Sequence, residues 1–174
     1  MHFLKDSNYI ILGYDKQTDR GDINFISVNE LKPKEFYYNK LATGVGGIQC
    51  FDNGRTILIS DKKGTFFYID TFKELNHTEI DLNKFETGLE VLDFSLGPAQ
   101  NKIVCGLNDK KCVIFDIEKE KKSRRFVQLK SFDRHIYSVN SVDWHPYKSL
   151  VVSSSIQLND TVKLWDPHSE ELVH

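Results

Sequence analysis

The stretch 141–167, "SVDWHPYKSLVVSSSIQLNDTVKLWDP", carries both tryptophans of the chain, Trp144 and Trp165. Its runs "LVVSSS" and "TVKLW" are rich in β-branched and aromatic residues. Asn159-Asp160 lies between them as a turn signal, so the pair predicts a β-hairpin. A third run, "SVDW", precedes them and stops at His145-Pro146, a second turn signal. Apolar residues at helical spacing are absent from the stretch, so it reads as consecutive antiparallel strands.

The hairpin is repeated when the chain is laid against itself. "SLVVSSSIQLNDTVKLWD" ends at Trp165-Asp166, "NKIVCGLNDKKCVIFD" at Phe115-Asp116, "RTILISDKKGTFFYID" at Ile69-Asp70 and "NYIILGYDKQTDRGDINFIS" at Ile26-Ser27. The anchors Ile26, Ile69, Phe115 and Trp165 are 43, 46 and 50 residues apart, close to the roughly 40–45 residues of a four-stranded propeller blade. Between anchors, "GGIQCFDNG", "LEVLDFSLG" and "VNSVDWHP" each supply an opening strand closed by a turn signal. "TFKELNHTEIDLNKF" is the nearest approach to a helical pattern and has the length of a connecting loop. The reading is an all-β chain, a partial β-propeller of about four blades over residues 1–42, 43–86, 87–133 and 134–174 of a single 1–174 unit.

Bulk properties narrow the function. At 174 residues, with 40% hydrophobic and 28% charged residues, the chain can build a real core, burying roughly 70% of its unfolded surface. A net charge of -2 and a pI near 6.3 argue against a domain-wide basic surface for nucleic acid. Cys50, Cys105 and Cys112 form no C-x-x-C and have no histidine at ligand spacing. They read as buried thiols of a reducing compartment, with no metal and no cofactor implied. "MHFLKDSNYIILGYD" lacks the basic lead and apolar stretch of a signal peptide, and no apolar run approaches the roughly 20 residues of a membrane span. The expectation is an intracellular protein with no membrane partner.

"SVDWHP" followed by "VKLWDP", with His135 upstream, resembles the WD-repeat blade. The resemblance implies a hydrogen-bonded chain through a loop histidine, a strand serine, a turn residue and the strand tryptophan. These roles fall to His135, Ser153 or Ser155, Asn159 or Asp160, and Trp165. A buried indole N–H needs such a partner. The residue six before Trp165 is Asn159 rather than an aspartate, whereas Asp109 stands six before Phe115 in a repeat without the tryptophan. More specifically, residues 135–167 resemble the WD-repeat subunit of the cleavage and polyadenylation specificity factor, which acts in forming messenger-RNA 3′ ends. "VNSVDWHPYKSLVVSSS" matches that family's fourth-blade opening without a gap, "IQLNDT" shares its long turn, and "DFSLGPAQNKIVCGLNDKKCVIFD" fits its third blade in length. Arg134 departs from the glycine that normally precedes the blade histidine, and the loop "EKEKKSRRFVQLKSFDRH" is longer than expected.

The resemblance implies a non-enzymatic nuclear scaffold whose partners are other cleavage and polyadenylation subunits, with RNA bound weakly or through the complex. Phe36, Tyr37 and Tyr38 fall near the family's RNA-stacking aromatic, although core packing is the simpler reading of three such side chains. An adaptor for ribosome biogenesis or ubiquitin ligation is the alternative on the same architecture. A hydrolase would need a nucleophile beside His135 in a recognisable elbow, and "GVGG" at residues 44–47 lacks the Lys-Ser/Thr of a phosphate loop. Lys119, Lys121, Lys122, Arg124 and Arg125 are interleaved with Glu118 and Glu120 and read as a solvated loop.

Overall fold

The computed structural model describes residues 2–3, 9–15, 21–27, 33–38, 43–51, 56–70, 83–86, 88–119, 124–156, 159, 161–169 and 171–173. Every regular element in them is a β-strand, and no helix among them is long and apolar enough to cross a membrane. Strands β1 (His2–Phe3), β2 (Tyr9–Asp15), β3 (Gly21–Ser27) and β4 (Pro33–Tyr38) form the first sheet, and β5 (Val45–Phe51), β6 (Thr56–Asp61), β7 (Thr65–Asp70) and β8 (Asn83–Glu86) the second. The third comprises β9 (Val91–Leu96), β10 (Lys102–Leu107), β11 (Cys112–Lys119) and β12 (Arg124–Phe132). The fourth comprises β13 (Val139–Trp144), β14 (Val151–Ser155) and β15 (Val162–Trp165). In each sheet the strands neighbour one another in chain order and are antiparallel, an all-β architecture consistent with a partial β-propeller.

Two compact units are present, Met1–Gly88 with the first two sheets and Leu89–His174 with the last two. In the N-terminal unit, all six residues of β6 are buried, and Ile57, Leu58, Ile59, Phe66, Phe67, Tyr68 and Ile69 contribute to its core. In the C-terminal unit, Val104, Cys112, Ile114, Phe132, Val139, Val142, Trp144, Val151 and Trp165 form one buried cluster, with Leu172 packed against it. Cys105 and Cys112 are buried as expected, and burial pushes both thiols up, Cys105 far up; Cys50 is only partly buried, its thiol raised to about 12.

The repeat has a common register. The anchors Ile26, Ile69, Phe115 and Trp165 stand opposite Ile10, Ile57, Ile103 and Val151 on the preceding strand. Two residues on, the same face carries Leu12, Ile59, Cys105 and Ser153. The opening strands share an irregularity too. Val45, Val91 and Val139 pair with Asp61, Leu107 and Ser155, and the residue after each valine is skipped in the ladder, a bulge at one place in three sheets.

Hairpin turns follow local chemistry. The Asp61 carboxylate accepts from the amides of Lys63 (3.0 Å) and Thr65 (2.8 Å), while Gly64 supplies the left-handed residue at φ +76°. In the third sheet Lys110 takes the corresponding place, also at φ +76°.

One sequence expectation is overturned. Of the stretch 118–135 expected as a loop, residues 118–119 end β11 and residues 124–132 form β12, with Glu118 opposite Arg125 and Lys119 opposite Arg124 in the ladder, while Glu120, Lys121 and Lys122 lie outside the described residues. Likewise the end of "TFKELNHTEIDLNKF" enters β8, while residues 71–82 lie outside the described part.

Candidate functional site

The site is built where β14 and β15 of the fourth sheet meet β12 of the third. Val151 pairs with Trp165, which puts Ser153 on the same face one diagonal step along the sheet. The indole Nε1–H of Trp165 donates to Ser153 Oγ at 2.7 Å, and His135 Nε2 lies 2.7 Å from the same oxygen. An indole can only donate, so Ser153 Oγ accepts from it while also sharing a hydrogen bond with the imidazole, whose direction is set by the His135 tautomer. All three are buried, with Trp165 1%, Ser153 1% and His135 4% exposed. The Trp165 ring is also held by aromatic contacts: Phe132 stacks on it at 4.8 Å between centroids, and His135 meets it edge-on at 6.2 Å.

His135, Ser153 and Trp165 are therefore brought together. Ser155 has a separate job, its hydroxyl donating to the carbonyl of Tyr137 at 3.0 Å and tying down the segment that leads from His135 into β13. Asn159 is exposed in the β14–β15 connection, and Asp160 lies outside the described residues. Asp166 follows the buried Trp165 with a partly exposed side chain. Its carboxylate accepts from the amide of His168 at 2.7 Å, the main cause holding it below the usual carboxylate range. Phe36, Tyr37 and Tyr38 lie on β4, the outer strand of the first sheet, with Tyr37 opposite Asn24 and Tyr38 opposite Ile23; their side chains are outside the described part. Among the described residues no group of three or more His, Cys, Asp or Glu could hold a metal ion.

The arrangement is structural chemistry. His135 is sealed from solvent and engaged to a serine that itself receives an indole, so it is not presented to a substrate. Residues 126–166 match the WD domain, G-beta repeat. The segment is a WD40 repeat. The matched segment begins inside β12 and ends just after Trp165, so it includes Phe132, His135, Ser153 and Trp165 together. No curated protein matches the chain. A WD40 repeat points to a protein-interaction scaffold or adaptor, and WD40 proteins are generally non-enzymatic.

Some of what shapes the site was not foreseen from sequence. Phe132 was readable only as one more apolar residue before His135. Four polar side chains also join the opening strands of the last two sheets. Asp93 Oδ2 on β9 accepts from Ser141 Oγ (2.9 Å) and from the Val142 amide (3.0 Å) on β13. Ser95 Oγ on β9 donates to Asp143 Oδ1 (2.8 Å) and accepts from the Trp144 amide (3.2 Å). Two edge amides of β13 are thus capped by side chains of the neighbouring sheet, as buried backbone donors require. The sheets also approach closely at Gly106 on β10, where an added Cβ would stand 2.6 Å from the carbonyl oxygen of Val139.

Proposed function

We propose that this protein is a non-enzymatic WD-repeat scaffold subunit of the nuclear pre-mRNA cleavage and polyadenylation machinery. The observation that carries the reading is the ungapped likeness of "VNSVDWHPYKSLVVSSS", within residues 135–167, to the fourth blade of that family's WD-repeat subunit. The WD40 repeat supports the scaffold part of it. A scaffold also needs apolar surface to offer, and Ile136, Tyr137 and Ile156 are 63%, 58% and 77% exposed where the segment after His135 and the end of β14 meet.

Affinity purification of the tagged chain from nuclear extract tests this. Recovery of other cleavage and polyadenylation subunits is the expected result. Recovery of ribosome-assembly factors or a ubiquitin ligase instead would overturn the assignment and leave the scaffold architecture standing. For RNA, the acidic pI predicts that the chain alone binds an A/U-rich hexamer weakly, because phosphate neutralisation supplies most of such affinity. The contact proposed for the complex is the β4 segment with Phe36, Tyr37 and Tyr38, through base stacking. Submicromolar sequence-selective binding by the isolated chain, or assisted binding indifferent to alanine at all three positions, would contradict it.

A further inference from the structure

One end of the C-terminal unit combines a side-chain-fixed turn with a surplus of cations. His145 holds the β13–β14 turn: its Nδ1 accepts from the amides of Tyr147 (3.1 Å) and Lys148 (3.0 Å), while its own amide donates to the Leu150 carbonyl (2.9 Å). A turn tied down in this way presents Tyr147 90% exposed, with its ring meeting the imidazole edge-on at 6.4 Å. The β9–β10 turn lies alongside, since a Cβ added to Gly97 would stand 3.4 Å from the Trp144 ring. Neither turn, 97–101 or 145–150, contains an acidic residue, and Lys148 is exposed. At the same end Lys102 stands opposite Asp116, the Ile117 amide donates to the Asn101 carbonyl (2.8 Å), and β11 runs on past them to Lys119. There Glu118 faces Arg125 across the ladder, but on the last rung Lys119 faces Arg124. Like charges in direct opposition destabilise a ladder, and this pair is kept in a chain whose net charge is -2. Asp143 and Asp166 are engaged elsewhere, Asp143 by Ser95 Oγ and the Trp144 amide and Asp166 by the His168 amide. The Asp166 turn is also distant from the rung: Lys130 reaches the His168 carbonyl (3.0 Å) from a point on β12 roughly 20 Å of strand beyond Arg124.

We propose that this end is a docking surface for an acidic segment of a partner protein, with Lys119, Arg124 and Lys148 receiving carboxylates and Tyr147 an apolar side chain. The surface rests on the scaffold reading and gives it a class of partner. Charge complementarity selects the occupant: a partner carboxylate between Lys119 and Arg124 turns the repulsive rung into two favourable pairs. Tyrosine anchors interfaces well because it offers a large amphipathic contact for little loss of conformational freedom, and the imidazole bonds have already fixed the turn that carries it. Spaced carboxylates fit this surface better than a nucleic-acid backbone does. Asp116 and Glu118 interrupt the cations and would repel closely spaced phosphates.

Fluorescence anisotropy of a fluorescein-labelled Glu-Glu-Phe-Glu-Glu peptide, titrated with the purified full chain, provides the test. Saturable binding that weakens as salt is raised is expected. Arg124→Glu should weaken it about fivefold, the upper range for one exposed ion pair, and Tyr147→Ala about tenfold. Arg124→Glu also places opposite charges across the rung, so its urea midpoint should match or exceed that of the wild type, which separates lost docking from lost folding. Tyr147→Ala changes an exposed side chain and decides alone if Arg124→Glu does not fold. Absence of saturable binding, indifference to either substitution, or tighter binding of a uridine oligonucleotide than of the peptide overturns the proposal. The scaffold reading is judged separately, by purification with the tagged wild-type chain. If that chain recovers cleavage and polyadenylation subunits and Tyr147→Ala recovers them equally, the docking surface is wrong and the scaffold stands. If it recovers none, the scaffold reading fails while the peptide titration still decides the surface.

Discussion

The third and fourth sheets place different chemistry in the same three slots. In the third, Phe115 stands opposite Ile103 with Cys105 on the same face, an apolar set. In the fourth, Trp165 stands opposite Val151 with Ser153, and His135 closes the chain. Both sets are buried, so hydrophobicity alone does not distinguish them. The difference is what happens when one member changes. An apolar slot loses contacts in proportion to the atoms removed, whereas a buried polar chain also strands the partners left behind.

The sharpest way to break the comparison is Ser153→Ala. It deprives the Trp165 indole and His135 Nε2 of one shared partner, and two stranded buried groups at ~1–3 kcal/mol each predict a loss of about 3 kcal/mol in chemical denaturation. The same experiment in the third sheet, Cys105→Ala, removes one sulfur from an apolar slot and should cost less than half as much. Equal losses would mean that Ser153 is a packing residue whose hydrogen bonds contribute little.

Gly106→Ala examines the other contrast between the two sheets. Gly106 follows Cys105 as Ser154 follows Ser153, yet only Gly106 has a neighbouring backbone carbonyl at 2.6 Å from its would-be Cβ. Rigid backbone cannot yield as a side chain does, so a loss of about 2 kcal/mol is expected, against under ~0.5 kcal/mol for Ser154→Ala, whose side chain is only partly buried. Similar midpoints for the two variants would show that the seam can open at that point without cost.

Trp165→Phe makes the fourth sheet resemble the third at its anchor. It keeps the Phe132 stack and removes the donor, for an expected loss of ~1–3 kcal/mol. Adding Ser153→Cys completes the conversion, and the double variant should lose less than the sum of the two singles, since the acceptor left unpaired by the first change is removed by the second. Strict additivity in that cycle would deny the coupling that the 2.7 Å bond implies.

The same contrast explains what could be read from the sequence. Four hairpins were legible because strand-forming runs flank turn residues, and their anchors, Ile26 through Trp165, do occupy one register. His135, Ser153 and Trp165 could be nominated as a group because polar residues in buried slots have few solutions. The apolar slots gave no such signal, since Ile59 or Cys105 can be exchanged for other apolar residues with little loss of fit. The outer strands were hidden for a different reason. Arg124 and Arg125 carry no period-two pattern of their own and are ordered by pairing with β11. Asp93 and Gly106 owe their roles to a strand nearly 50 and more than 30 residues away respectively, which no local pattern encodes.

The smallest expected effect lies in the third sheet's own hairpin, whose turn residue Asn108 donates to Glu90 and accepts from Ser138 at the surface. Lys110 is held at φ +76°, a conformation that costs a side-chain-bearing residue roughly 1–2 kcal/mol relative to the right-handed region. In the second sheet the matching residue is Gly64, at the same φ, where the cost vanishes. Lys110→Gly should relieve that strain but give back about 0.4–1 kcal/mol through the greater freedom of the unfolded chain. The net expectation is a gain of about 0.5 kcal/mol, read as a small rise in the urea midpoint with unchanged slope. The ion pair of Lys111 with Asp109, 3.2 Å apart on the surface of the same turn, involves the next side chain and contributes little on either side of the comparison. A fall in midpoint for Lys110→Gly would mean that the lysine side chain does more for the turn than its backbone costs.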